Sequence, residues 1–341
     1  MIPYKKTNLV YKNRLCVQKL SLRGDVFFSL ADYKNNYFMS KHPDKVLEFY
    51  SSFSSRVELI NWMKERPEGI SELIEVKGRS DIVVVIPTSD FNGKYAKECR
   101  ENIFKGLHII FVESGGVEDF YFNSAHNVNL GINKAFEYNP KWIVFSGDDM
   151  IKESPVENLI QMLNNLNPNN IDVVFTLPRL YHSTPMSLYI PNRLFPIIVY
   201  LLGLLFSRYY YIYQTYKTLK KFNKITYFPV RTYNINVIKK IGTLLLFKTK
   251  IKFLNVLSFG IFSSKFLQTQ GKLFDELYIN EMDDTDLSIN IKTKANFLIS
   301  DGYQINEYIG STLGTGPLRT LRVVPSFVYF SAKVEKNEIN I

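Results

Sequence analysis

Two short acidic clusters hold most of the chemistry this sequence offers. Asp148 and Asp149 follow an apolar run, Trp142-Ile143-Val144-Phe145, that reads as a buried strand. Carboxylate oxygens at such a strand end are hard ligands, suited to Mg²⁺ or Mn²⁺ while the ion bridges a diphosphate. Aspartates in a turn also serve as plain turn residues. The neighbouring apolar run adds weight, because it closes on Glu113, a carboxylate that can accept hydrogen bonds from a base or a ribose. The second cluster is Asp283, Asp284 and Asp286 at the start of a helical pattern. One carboxylate is enough to cap a helix and complement its dipole. Three so close together repel one another, so at least one of the others is expected to face a site, where it can take a proton from an attacking hydroxyl.

These residues need a scaffold, and the apolar pattern supplies one. Residues 82–86 form a continuous β-branched run ended by Pro87, as expected of a strand buried on both faces. A helix is expected over residues 94–105, a second strand over 107–112, a helix over 129–138, a third strand over 142–146 and a fourth over 172–176. Such alternation predicts an α/β, mixed but mainly parallel sheet flanked by helices, with ligands at the carboxyl ends of its strands. Thr88, Asp90, Glu113, Asp148 and Asp149 fall at those ends. Earlier in the chain, a β-like run at 26–28 and helical patterns opened by Pro43-Asp44 and over residues 57–63 carry no recognisable chemistry. Later, a strand is expected at 260–265, a turn at Phe274-Asp275-Glu276, and a helix from Asp283 towards Lys294. A tail over 318–333 alternates Arg319 and Arg322 with apolar residues.

The 341 residues are 46% hydrophobic with a formal net charge of +10, which excludes a disordered tail. Cys16 and Cys99 form no CxxC pair, which excludes a disulfide scaffold or Cys-rich zinc site. The opening MIPYKKTNLVYKNRL has no apolar core of a secretory signal, so a cytoplasmic location is expected. The charge is segregated: residues 173–274 contain no Asp or Glu and fifteen Lys or Arg. A polyanionic partner, membrane surface or nucleic acid, is implied for that window. Within it, residues 194–206 are thirteen consecutive non-polar residues, short of the roughly 20 needed to span a bilayer, and Pro196 and Gly203 interrupt them. Tyr209, Tyr210, Tyr211, Tyr213 and Tyr216 follow. This composition suits a helix lying in a headgroup region, where anionic lipid gains about 1 kcal/mol per nearby Lys or Arg. A buried core helix with a solvated basic face is the alternative. Residues 241–257 repeat the theme, with Lys248, Lys250 and Lys252 among Leu, Ile and Phe.

Over about residues 81–311, the basic window apart, the chain resembles the family 2 inverting glycosyltransferases of GT-A fold. DIVVVIPTSD (residues 81–90) matches the family's first strand and its Pro-Thr, here Pro87 and Thr88, with Asp90 beyond. FVESGG carries Glu113 in place of the acid that contacts the base; Asn129, Gly131 and Ala135 match the Asn-x-Gly-x-x-x-Ala helix. FSGDDM is similar to the Asp-x-Asp element, with Gly147 replacing its first acid and with Asp148 and Asp149 on the ribose and metal positions. FDELYINEMDDTDLSINI resembles the second block, which puts Asp284 on the catalytic base and Asp283 on the usual Glu. Relatives often complete the metal site with a His before a Gly-x-Ser; NEYIGS has Asn306 and Glu307 there, which makes Glu307 the further metal ligand. The Gln-x-x-Arg-Trp element of processive members is absent, so addition of a single sugar is implied.

The resemblance thus implies an enzyme with catalytic Asp284, a Mg²⁺ or Mn²⁺ cofactor on Asp149 and Glu307, and donor contacts from Pro87, Thr88, Asp90, Glu113, Asn129, Gly131, Asp148 and Asp283. Its partners would be a nucleotide-sugar donor, a glycan or lipid-linked saccharide acceptor, and an anionic membrane, with no nucleic acid. It would lie peripherally on the inner face of the cell membrane. Five segments are expected: an N-terminal extension (1–77), a nucleotide-sugar half (78–178), a basic amphipathic helical insertion (179–256), an acceptor half (257–315) and an amphipathic tail (316–341). Three other readings compete. A nucleotidyltransferase would carry a Gly-rich phosphate loop after the first strand, which residues 89–94 do not resemble. A single-strand nucleic-acid binder would use the basic, aromatic window, but nucleic acid offers the apolar run no hydrocarbon partner. The departures at Gly147 and Asn306 also suit a catalytically inactive scaffold.

Overall fold

Alternating side chains on one strand build both faces of the central layer. On β3 (Arg79–Thr88), Ile82, Val84 and Ile86 point into one apolar cluster and Val83 and Val85 into another. The computed structural model describes residues 5–7, 30–66, 69–114, 123–176, 184–231, 245–256, 258–279, 281–308 and 316–339. The run at 26–28, Gly115-Gly116, Leu257 and Gly310-Ser311 lie outside them.

In chain order the other elements of the first half are β1 (Lys5–Thr7), α1 (Leu30–Phe38), α2 (Pro43–Ser51), α3 (Arg56–Glu65), β2 (Ser71–Val76), α4 (Lys94–Glu98), β4 (Leu107–Ser114), α5 (Ser124–Ala135), β5 (Trp142–Ser146), β6 (Met150–Lys152), α6 (Val156–Asn164) and β7 (Val173–Thr176). The second half holds β8 (Thr184–Pro191), α7 (Leu194–Leu205), α8 (Ser207–Phe222), β9 (Phe228–Arg231), β10 (Phe247–Asn255), β11 (Phe259–Ser263), α9 (Ser264–Gln270), α10 (Asp283–Lys294), β12 (Phe297–Ser300), β13 (Ile305–Glu307), α11 (Pro317–Arg322) and α12 (Val324–Glu335).

The protein is α/β, with a mixed central sheet in the order β1-β2-β4-β3-β5-β11-β7-β12, compatible with a Rossmann-like fold. Its parallel pairs are β4·β3, β3·β5 and β7·β12; the other four neighbouring pairs are antiparallel. The expectation of a mainly parallel sheet is corrected here: only β4-β3-β5 forms a continuous parallel block. Strand β11, which follows β10 in the chain, runs antiparallel to both β5 and β7. Helix α5 covers one face through Ala125, Val128 and Ile132, and α6 the other through Val156, Leu159 and Leu163. Gly131 sets the first approach, since a Cβ there would lie 2.4 Å from Val85 Cγ1.

A third cluster joins three segments that are far apart in the chain. Phe38, Phe49 and Trp62 of the N-terminal helices pack with Met186, Leu188 and Phe253 of the insertion and with Leu321, Phe327 and Phe330 of the tail. Polar ties reinforce it: Tyr50 donates to the Leu321 carbonyl at 2.6 Å, and Arg322 donates to the Met39 and Ser40 carbonyls at 2.9 Å. The N-terminal extension and the tail are therefore parts of one body, and β2 adds an antiparallel strand beside β4.

The insertion, expected to be helical, is half sheet. Strands β10-β8-β9 form an antiparallel layer beside the α7–α8 hairpin. The stretch 241–257, expected to repeat the headgroup helix, contains β10, paired with β8 from Phe247↔Pro191 to Asn255↔Thr184. No helix of the described residues is long and apolar enough to cross a membrane.

Candidate active site

Parallel strands bring their carboxyl ends to one edge of the sheet. Thr88 on β3 is in register with Glu113 on β4, and Asp148 follows β5. Pro87 sits beyond the last β3·β5 pair, Val85↔Phe145, where its missing N–H costs that ladder nothing. The Thr88 hydroxyl donates to Asp148 Oδ2 at 2.7 Å, and Cys99 Sγ donates to the Asp148 carbonyl at 3.2 Å. Glu113 Oε1 accepts the Phe91 N–H at 3.2 Å, and Asp90 Oδ1 accepts the Asn92 N–H at 2.9 Å, closing a turn. Burial raises the pKa of Asp148; the Thr88 hydroxyl partly offsets this and the charge of Asp149 adds to it. One oxygen of Asp148, expected on a ribose, is thus already engaged by Thr88.

A short antiparallel pair, β6·β13, links the backbone at Asp149 to that at Glu307-Tyr308. Glu307 on β13 is in register with Met150 on β6, and the Tyr308 N–H donates to the Asp149 carbonyl at 2.9 Å. The Tyr308 ring lies 5.6 Å from that of Tyr95. The Ser258 hydroxyl donates to Glu307 Oε2, and the Ser258 carbonyl accepts the Gly147 N–H at 2.7 Å. A Cβ at Gly147 would lie 3.0 Å from Asp149 Oδ1, so an acid at that position would crowd the carboxylate beside it.

No group of three or more His, Cys, Asp or Glu among the described residues could hold a metal ion. Asp149, just before β6, and Glu307 on β13 are two hard oxygen donors. Mg²⁺ commonly uses one or two carboxylates, with waters and substrate phosphates filling the remaining positions. The pair fits that mode and does not fit an all-protein cage.

The second cluster opens α10. Met282 just before it adopts φ 75°, left-handed and uncommon for a bulky side chain, and is fully buried. The three aspartates after it have different fates. Asp286 is 3% exposed and taken up by structure: Tyr278 donates to it at 3.0 Å, Asn290 at 2.9 Å and Lys333 at 2.5 Å. Asp284 Oδ2 accepts Asn255 Nδ2 at 2.9 Å and its Oδ1 accepts the Thr285 N–H at 2.6 Å. Ser288, whose hydroxyl lies 2.7 Å from Asn255 Oδ1 and accepts the Val256 N–H, fixes that amide. Asp283 faces a cavity of about 550 Å³ whose wall includes Lys64, Arg66, His126, Lys272 and Lys294. Burial and the adjacent charge of Asp284 push its carboxyl up to about 7, against the pull of nearby backbone N–H groups.

Residues 255–258 join the two clusters. Asn255 holds Asp284 at one end, and Ser258 holds Glu307 and the Gly147 backbone at the other. Three residue steps reach at most about 11 Å, so the helix-start and strand-end acids belong to the same side of the molecule. Asn255 and Ser258 had no local signal: Asn255 lies in the stretch 241–257 whose composition reads as a membrane segment, and Ser258 directly follows it.

Asn129 and Gly131, expected on the nucleotide, are corrected to internal roles. Asn129 is 3% exposed. Its amide donates to the Phe274 carbonyl (2.8 Å) and Glu276 (2.9 Å) and accepts the N–H groups of Leu273 (3.0 Å) and Phe274 (3.1 Å), which uses its capacity. It staples α5 to the turn that precedes α10. Burial alone would raise Glu276 in that turn, but hydrogen bonds from His126, Asn129 and Lys272 outweigh it and pull the carboxyl to about 2.

Compared with known protein families, curated proteins and solved structures, the chain matches none.

Proposed function

We propose that the protein is a GT-A-type glycosyltransferase that moves one sugar from a nucleotide-diphosphate sugar to a hydroxyl of a glycan or lipid-linked acceptor. The observation that supports this most is the 255–258 bridge, which ties a proton-accepting carboxylate, Asp284, to the neighbourhood of a carboxylate pair, Asp149 and Glu307. Those two residues would hold Mg²⁺ or Mn²⁺, which when bound neutralises charge on the leaving diphosphate. Glu113 would accept a hydrogen bond from the donor's base or ribose. Asp284 takes the proton of the acceptor hydroxyl; that oxygen bonds to the anomeric carbon from the face opposite the nucleotide diphosphate, the old carbon–oxygen bond breaks, and the configuration inverts. An inner-membrane-face location follows from the same reading when the acceptor is lipid-linked.

A second assignment within the same reaction has its own observation. Asp283 faces the 550 Å³ cavity, and a carboxyl titrating at about 7 is matched to proton transfer near neutrality. A panel of nucleotide sugars with Mn²⁺, screened for transfer and hydrolysis with wild type, Asp284→Asn and Asp283→Asn, tests both. Turnover by wild type and loss in Asp284→Asn alone supports Asp284 as base; loss in Asp283→Asn alone moves the role to Asp283. No turnover across the panel, with no metal-dependent nucleotide binding, overturns the transferase in favour of the scaffold reading.

A further inference from the structure

Helices α7 and α8 form a hairpin whose outer apolar surface is exposed, with no other described element packed over it. Gly203 lets the helices close, because a Cβ there would lie 3.0 Å from the Tyr210 backbone. The inner side of α7 is accounted for: Phe195 and Val199 are buried, and the Phe195 ring lies 5.0 Å from that of Phe247. The outer side is apolar as well. Ten of the seventeen exposed large apolar side chains among the described residues fall between Leu194 and Tyr210. At the turn, Leu204, Leu205 and Phe206 are 66%, 76% and 56% exposed. A helix that is apolar all round calls for an apolar environment on every side, and a patch of this kind on a water-soluble surface marks an interaction site.

The charges around the hairpin select the occupant. Arg193, Arg208, Lys217, Lys220, Lys221 and Lys224 are exposed on or beside it, and residues 173–274 contain no carboxylate to balance them. A second copy pairing through the same surface would bring these cations against their own kind. Nucleic acid would satisfy the cations but offers no hydrocarbon for the tip. A bilayer with anionic headgroups provides both. Twelve residues of α7 extend about 18 Å, well short of the roughly 30 Å hydrocarbon thickness, so the hairpin cannot cross a bilayer and its tip can enter only from one side.

We propose that the α7–α8 hairpin is a peripheral membrane anchor whose Leu204-Leu205-Phe206 tip enters one leaflet of an anionic bilayer while its basic residues hold the headgroups. The proposal is independent of the transfer reaction, because its test reads no activity. The full-length protein is floated with phosphatidylglycerol–phosphatidylcholine vesicles, with phosphatidylcholine vesicles, and separately applied to single-stranded DNA. The expected result is flotation with the anionic vesicles, with a partition coefficient about 5- to 30-fold lower for neutral ones, the effect of one or two cation contacts of about 1 kcal/mol each. L204E/L205E, both at exposed positions, is expected to fold normally by circular dichroism and lose at least about tenfold in partitioning. An indole placed by Leu205→Trp is expected to be quenched by lipids brominated on the acyl chain, because the native Trp62 and Trp142 are only 5% and 1% exposed. Equal flotation of wild type and L204E/L205E, stronger retention on DNA than on vesicles, or a dimer that L204E/L205E abolishes would each overturn the anchor.

Discussion

Asp148-Asp149 and Asp283-Asp284 are the same pair of residues in two settings, and in each burial raises the carboxyl of the first member. The difference lies in what reaches that first carboxyl. Asp148 receives the Thr88 hydroxyl at 2.7 Å, which counters part of its burial. Asp283 draws its offsetting hydrogen bonds from backbone N–H groups alone, so burial and the charge of Asp284 dominate and its carboxyl rises to about 7. Burial with a hydroxyl donor makes a positioning carboxylate; burial without one makes a carboxyl that changes charge near neutral pH. The second members differ as well. Asp149 precedes β6 and its carbonyl accepts the Tyr308 N–H, next to Glu307 in the chain, whereas the Asp284 carboxylate accepts Asn255, on a bridging segment, and the Thr285 N–H.

The largest effect that would sharpen this contrast is on Asp284. Asp284→Asn is expected to lower kcat for sugar transfer about 100-fold or more while donor affinity, measured by calorimetry, is retained. Undiminished transfer would break the assignment of the base to the second doublet. Next in size, Asp149→Ala is expected to weaken metal-dependent nucleotide binding about 10- to 100-fold, no less than the loss of a ligand's supporting partner costs. Unchanged binding in Mn²⁺ titrations would remove the first doublet from the donor site. Asn255→Ala takes a donor from Asp284, which raises the pKa of that carboxylate. A fall of about tenfold in kcat is expected, with the acid limb of the pH–rate profile moved to higher pH; a uniform loss without that movement would reduce Asn255 to a structural role.

The smallest effect is on stability. The folded Asp283 carboxyl titrates at about 7 against an ordinary 3.8, so between these values the folded chain holds a proton that the unfolded chain has released. Stability from this group is present at low pH and is lost as pH rises through about 7. Asp283→Asn is therefore expected to raise Tm relative to wild type at pH 8, by about 2–4 °C for each kcal/mol relieved, with the gain shrinking towards pH 4. A gain that is the same at both pH values would show that Asp283 is not the titrating group.

Much of the fold was legible where a pattern is local. The β-branched run 82–86 and the strands at 107–112 and 142–146 are strands in the structure, and the helix expected from Asp283 to Lys294 is α10 with those bounds. β10 was misread, although its signal was present: Lys248, Lys250 and Lys252 alternate with other residues at the strand period of two. Composition drew attention to lipid when periodicity pointed to a sheet. Strand β2 joins β4 from a segment whose partner nothing nearby names. The apolar positions of α2 and α3 likewise announced a buried face without naming the tail and insertion that cover it.

Within the candidate site, sequence alone determined which residue types sit at strand ends and a helix start, because chain position and local hydrogen bonding set those. It also determined the absence of acid from residues 173–274, and with it the sign of that surface. Only the tertiary structure decided which of three neighbouring aspartates is tied down by Lys333 and which is held by Asn255, and that Asp283 and Asp286 line one cavity. It also decided that Asn129 spends its hydrogen bonds on the turn at 273–276. Those outcomes depend on partners between 29 and 147 positions away, and a carboxyl's charge and direction are set by what surrounds it in space, which neighbouring residues in the chain do not specify.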